Sequence, residues 1–185
     1  MDRMSAGIVR PFRRPDGFTL VEMVMAMAVL AVLIAVGLPA FRTTLQGQRT
    51  GAAMHLLSSH LAHARLAAIQ HRTVVMACPS DGHSQCRQDG DWSQGWMVFI
   101  DRDGNRQPDA PADILRVERP PLDAHMRMAS GQGRPLVRYL PDGRSAGSNL
   151  TVRICREGAL LGSVIVNNVG RVRSTRPTGA APCGD

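Results

Sequence analysis

Residues 17–41 read G-F-T-L-V-E-M-V-M-A-M-A-V-L-A-V-L-I-A-V-G-L-P-A-F, and this stretch decides what kind of chain follows. From Phe18 to Phe41 there are roughly 24 residues with one charge, Glu22. At about 1.5 Å per helical residue, such a run crosses a hydrocarbon core of about 30 Å. Before it stand Arg3, Arg10, Arg13 and Arg14 against Asp2 and Asp16, a leader of net charge +2. Basic flanks stay cytoplasmic, so the part after the run is sent outward. A secretory signal would have a shorter apolar core with a small-residue cleavage site after it. Here the small residue, Gly17, comes before the apolar run. A plain signal anchor explains the apolar run but not Glu22, because a lone carboxylate in hydrocarbon costs a few kcal/mol (~3) unless it finds a partner.

The segment Gly17–Glu22, G-F-T-L-V-E, resembles the type IV prepilin motif. The resemblance implies cleavage after Gly17 by a membrane prepilin peptidase and methylation of the new N-terminus, Phe18. It also places Glu22 at the position where pilins carry their glutamate, and Pro39 where many of them bend the helix. Pairing of Glu22 with a neighbouring subunit's N-terminal amine would offset its burial.

Working outward, a helical pattern continues to about Arg72, with an apolar stripe through Leu45, Leu56, Leu57, Leu61, Ala64, Ala68 and Ile69. From Thr73 the pattern changes to short apolar runs between Gly, Pro, Asp and Ser clusters. Strands are predicted at Thr73–Cys78, Gly95–Asp101, Asp113–Val117, Leu136–Tyr139, Leu150–Cys155, Ser163–Asn167 and about Arg171–Arg173, separated by turn signals such as Pro141-Asp142-Gly143. The expected organisation is a leader (1–17), a membrane or filament-core helix (18–41), an amphipathic helix half (42–72) and a β-rich domain with an irregular tail (73–185). The fold class is α+β, a long N-terminal helix packed on antiparallel sheet.

A narrower resemblance lies in C-P-S-D-G…C (Cys78–Cys86), W-S-Q-G-W-M-V-F-I-D (Trp92–Asp101), P-D-G (Pro141–Gly143), Cys155 and G-R-V-R (Gly170–Arg173). This order is similar to the GspH/FimT branch of minor pilins. It implies two sheets on the helix and membership of a type IV pilus or a type II secretion pseudopilus. For FimT-type members it implies DNA contact through a C-terminal G-R-x-R motif during natural transformation. The implied partners are other major and minor pilins, the prepilin peptidase, the inner membrane and DNA. No cofactor or small-molecule substrate is implied.

All 22 basic residues are arginine, and the formal net charge is +7. From Arg134 to Arg176 eight arginines face two acids, a local net of +6. Arg171 and Arg173 are two apart, so on an extended segment they point to one side. Arg176 follows, and Gly170 leaves room for a phosphate near the backbone. Guanidinium groups so placed suit phosphate oxygens. The competing readings are solvated surface arginines, and a structural subunit that touches only other pilins. Aromatics are scarce at 4%, which argues against base stacking.

Four cysteines permit three pairings. The local pairing, Cys78–Cys86 with Cys155–Cys183, is preferred because Cys78 and Cys86 bracket a tight turn; free buried thiols are the alternative. Asp101, Asp103, Asn105 and Asp109 lack the glycine position and terminal glutamate of a calcium loop and read as a hairpin turn. His55, His60, His63 and His71 lack a carboxylate partner for a metal, and Trp92 and Trp96 read as core. No catalytic constellation stands out, so no enzyme is expected.

Overall fold

A computed structural model of the chain describes residues 17–82 and 85–184. The leader arginines and Asp2 and Asp16 therefore lie outside the described residues, as do His83, Ser84 and Asp185. The first element is helix α1, Leu20–His71, which is continuous through Pro39. Thr19 starts it: its hydroxyl accepts from the Glu22 amide at 3.2 Å. Thr19 and Glu22 thus stand at the N-cap and third positions of a capping-box sequence, where a carboxylate also suits the helix dipole. The helix ends where Arg72 adopts φ +49° and the Thr73 amide closes on the Ala68 carbonyl, a left-handed C-terminal cap.

Two compact units divide after Thr43. In the first, the large apolar side chains from Phe18 to Phe41 are all exposed. In the second, Thr44–Asp185, the rest of α1 buries Thr50, Ala53, Met54, Leu57, Leu61, Ala64, Ala67 and Ala68. Their spacing of three and four makes one face of a helix. Leu56 is only partly buried and Ile69 is 45% exposed, so these two expected stripe residues lie at its rim.

Eight strands follow: β1 Val74–Pro79, β2 Trp96–Asp101, β3 Ile114–Glu118, β4 Met126–Ser130, β5 Val137–Tyr139, β6 Leu150–Arg156, β7 Ala159–Val166 and β8 Val172–Thr175. They form two four-stranded antiparallel sheets, ordered β3-β2-β1-β5 and β4-β6-β7-β8. The chain therefore leaves the first sheet for β4, returns for β5, and leaves again for β6. The inner faces of both sheets join α1 in one core that includes Trp92, Trp96, Val98, Tyr139, Val152 and Val164. Trp92 donates to Ser130 Oγ and Trp96 to His60 Nδ1, each at 3.1 Å, so both indole N–H groups are satisfied in that core.

The expected two-sheet α+β architecture is present, with three local corrections. Strand β4 was not anticipated. Its M-R-M-A-S alternates inward and outward, but an arginine at its second position and the lack of β-branched residues hid it. Strand β7 begins at Ala159, four residues before the expected start, after a hairpin in which Glu157 and Gly158 both have positive φ. Strand β8 runs Val172–Thr175, with Arg171 just before it rather than inside it.

Disulfides join Cys78 to Cys86 and Cys155 to Cys183. The first lies in a second core on the outer face of the first sheet, with Met76, Met97 and Phe99. Gln107 pins the Cys86 backbone there through two hydrogen bonds. The loop after β2 satisfies its own acids: Asp101 accepts the Gly104 and Arg106 amides, and Asn105 bridges Asp103 and Asp109. It is the turn the sequence indicated. No group of three metal-ligating side chains is found among the described residues.

Candidate functional site

The two sheets differ in what covers their outer faces. The outer face of the first carries Met76, Cys78, Met97 and Phe99, all buried. On the second, Val152, Ile154, Val164 and Val166 point inward to the core. Strand alternation then sends Arg127, Arg153, Ile165 and Arg173 to the opposite side. Arg173 pairs with Ile165 across the β7–β8 ladder. Arg171 lies two residues earlier, and both arginines line one depression of about 320 Å³ with Asn149, Ile165 and Asn167. Both are exposed, and no acidic side chain pairs with either among the described residues.

The turn that presents them is built by Asn167 and Gly170. The Gly170 amide donates to the Asn167 carbonyl at 2.9 Å, and Asn167 Oδ1 accepts the Arg171 amide at 2.8 Å. Gly170 has φ +82°, and a Cβ there would stand 2.1 Å from the Gly143 carbonyl oxygen. The room expected for a phosphate beside Gly170 is thus filled by the Pro141–Gly143 turn. Its glycine is required for close packing of two turns, and it is buried.

Arg176 does not join the other two. Its guanidinium reaches the α1 side, where Nη2 donates to the Gly47 carbonyl at 3.1 Å. The rest of the C-terminal charge is dispersed in the same way. Arg134 Nη2 is turned onto Ser145 Oγ and the Ala146 carbonyl. Arg144 pairs with Asp142 at 2.8 Å. Arg138 belongs to β5 of the other sheet. Arg156 reaches Gln46 at 3.3 Å and Asp123 at 3.6 Å, and Asp123 also holds Arg49 at 3.0 Å. Burial opposes the charge on Asp123, but the His125 amide and the Arg156 and Arg49 guanidiniums outweigh it and keep its carboxyl below the usual range. Of the eight arginines counted in the sequence, Arg153, Arg171 and Arg173 share the outer face of the second sheet. Arg127, from the unanticipated β4, is added to them.

The other candidate region is the start of α1. Gly17 and Phe18 precede the helix and are exposed, and Glu22 sits exposed in its first turn. The helix is long and apolar enough to cross a membrane, with a mean hydropathy of 2.6 in its most apolar window, none of which is buried.

Comparison with known proteins agrees with both ends of the chain. The family model described as type II transport protein GspH matches residues 53–170. The model described as prokaryotic N-terminal methylation motif matches residues 12–38. No curated protein matches the sequence. Among solved structures, a crystal structure of the type IV minor pilin FimU from Pseudomonas aeruginosa strain PAO1 is 19% identical, with a TM-score of 0.58 over 77% of this chain and 99% of that one. A second crystal form of FimU is 18% identical, with a TM-score of 0.55 over 72% of this chain and 99% of that one. At that identity the likeness is one of fold.

Proposed function

Because the chain belongs to the family of the type II transport protein GspH, we propose that it is a structural, non-catalytic minor subunit of a type IV pilus or a type II secretion pseudopilus. The observation that carries this is the first unit's surface. Phe18, just before the helix, and Leu20, Val21, Val36 and Phe41 on it are each 64–80% exposed, and the helix has one acid and no base before Arg42. Full burial of each such side chain is worth about 1.5–3 kcal/mol, so this helix requires lipid first and neighbouring helices afterwards. The chain is a single-pass inner-membrane protein with its globular domain in the periplasm, before it enters the filament. Glu22 favours the helix start as a single chain and offers a charge partner to a second subunit's N-terminal amine when helices pack.

The processing step is testable by mass. In cells with a prepilin peptidase the chain should lose residues 1–17 and gain a methyl group on Phe18; in cells without it the precursor should persist. Glu22→Leu should be processed but be absent from sheared filaments. An uncleaved wild-type chain in peptidase-positive cells would overturn the assignment.

A second reading is favoured by the bare pair Arg171 and Arg173. Two adjacent guanidiniums without acids suit the phosphates of DNA, which is the FimT-type role in uptake. Arg171→Gln with Arg173→Gln should weaken a gel shift of duplex DNA regardless of its sequence. An unchanged shift removes these residues from the site.

A further inference from the structure

We propose that the DNA contact does not end at Arg171 and Arg173 but continues as a diagonal arginine track across the outer face of the second sheet, through Arg153 to Arg127. This rests on the second reading above and enlarges its site.

Strand register gives the geometry. Arg127 on β4 lies opposite Cys155 on β6, and Arg153 is two residues along β6 from that point. Thr151, two further along, lies opposite Ile165 of β7, which in turn lies opposite Arg173 of β8. Arg171 is two residues beyond. Each step across the sheet therefore moves the next arginine the same way along it. With strands about 4.8 Å apart and about 3.3 Å per residue, neighbouring members are separated by roughly 7–12 Å and the track spans about 20–25 Å.

Two shallow depressions accompany it. One, of about 320 Å³, holds Arg171 and Arg173; the other, of about 680 Å³, holds Arg127 and Arg153 beside the Cys155–Cys183 disulfide. Neither Arg127 nor Arg153 has an acidic partner among the described residues. The second depression contains one acid among the described residues, Asp89, and that carboxylate is engaged by Arg87. The fold pairs or turns away Arg134, Arg144, Arg156 and Arg176 but leaves these four without an acidic partner on one face, Arg127, Arg171 and Arg173 exposed and Arg153 half-buried. Repulsion between neighbours about 8 Å apart is roughly 0.5 kcal/mol in water before screening. The sheet tolerates that cost, and a polyanion relieves it.

The occupant we assign is duplex DNA. Phosphates along one strand rise by about 3.4 Å each, so a track of this length meets several. Single-stranded nucleic acid is disfavoured because the face offers no ring for stacking: Trp92, Trp96, Phe99 and Tyr139 are all fully buried. A narrow line of charge also differs from the broad basic surface that suits a lipid bilayer.

The test is the salt dependence of binding, measured by fluorescence anisotropy on the full chain in non-ionic detergent with a duplex of arbitrary sequence. Four phosphate contacts give a log–log slope of about −3.6, a loss of about 150-fold in affinity between 50 and 200 mM salt. Arg127→Gln with Arg153→Gln should reduce the slope to about −1.8, a loss of about 12-fold over the same range. Arg171→Gln with Arg173→Gln should do the same, and the fourfold variant should not bind. Unchanged near-ultraviolet circular dichroism confirms that each variant is folded. No wild-type binding refutes the second reading and the track together, and leaves the structural subunit as the function. A slope that responds to Arg171 and Arg173 but not to Arg127 and Arg153 refutes the track alone. Binding to vesicles containing anionic phosphatidylglycerol, with none to DNA, overturns the assigned occupant.

Discussion

Replacing Gly170 by alanine separates two costs that coincide at the turn before Arg171. The first is conformational: φ is +82°, where an L-residue with a Cβ loses about 1–2 kcal/mol. The second is steric. The new Cβ would lie 2.1 Å from the Gly143 carbonyl oxygen, a backbone atom with no rotamer to change. That carbonyl is fixed from both sides, since the Gly143 amide bonds Leu140 and the Ser145 amide bonds Asn168. Relief needs movement of a turn, at about 1–3 kcal/mol. The total is about 2–5 kcal/mol, a large share of the roughly 5–15 kcal/mol that holds a domain folded. Gly158 supplies the control, because its φ is +81° but nothing lies within 4 Å of an added Cβ. Gly158→Ala should therefore cost only the conformational part, about 1–2 kcal/mol. Urea unfolding of the full chain in detergent, followed by fluorescence of the fully buried Trp92 and Trp96, reads both. With a slope of about 2 kcal/mol/M, Gly170→Ala should lower the midpoint by about 1–2.5 M and Gly158→Ala by about 0.5–1 M. Equal midpoints for the two variants would show that the turns do not pack as described.

The His60 imidazole accepts from Trp96 through Nδ1, which requires that nitrogen to be unprotonated. Burial lowers its pKa, Glu118 opposes this in part, and Arg116 and His63 add to it. A folded-state pKa below the unfolded value gives stability that is complete above about 6.5 and is lost as pH falls through the folded value. The melting temperature should accordingly drop on acidification below pH ~6, and His60→Gln should flatten that drop; an equally steep decline in the variant removes His60 as its source. The two disulfides close loops of 28 and 8 residues by sequence separation. Loop entropy assigns them about 3.6 and 2.5 kcal/mol respectively. The paired serine variant at Cys155 and Cys183 should then lose more stability in urea than the one at Cys78 and Cys86; the reverse order would refute the loop-entropy assignment.

The membrane helix and the α+β class with antiparallel sheet were legible because they rest on patterns that local sequence carries: an unbroken apolar run, and short apolar segments between turn residues; the division into two sheets was implied only by the family resemblance. Strand β4 and the start of β7 were not legible, since neither is rich in β-branched residues. A Cβ at Gly162 inside β7 would stand 2.5 Å from the Met54 sulfur of α1, a contact that only the assembled fold reveals. The arginine site was half legible for the same reason. Spacing of two put Arg171 and Arg173 together. Which of the other arginines accompany them is decided by strand parity and by partners as distant in sequence as Gly47 and Asp123, so Arg176 left the group and Arg127 entered it. The inward–outward alternation of Met126, Arg127 and Met128 was the one local signal that could have identified Arg127.

The strand order sets how this domain can be delivered. The first sheet is not complete until β5, residues 137–139, has emerged, yet β4 is already outside and belongs to the other sheet. Its pairing partner, β6, begins only at Leu150. A chain crossing the membrane from its N-terminal end thus exposes β4 with its β6 edge unpaired while residues 131–150 pass, its other edge being bonded by the earlier segment Gly90–Trp92. Unpaired edges are where strands from different molecules meet. The short length of β4 and the charge of Arg127, its second residue, work against intermolecular pairing in this interval.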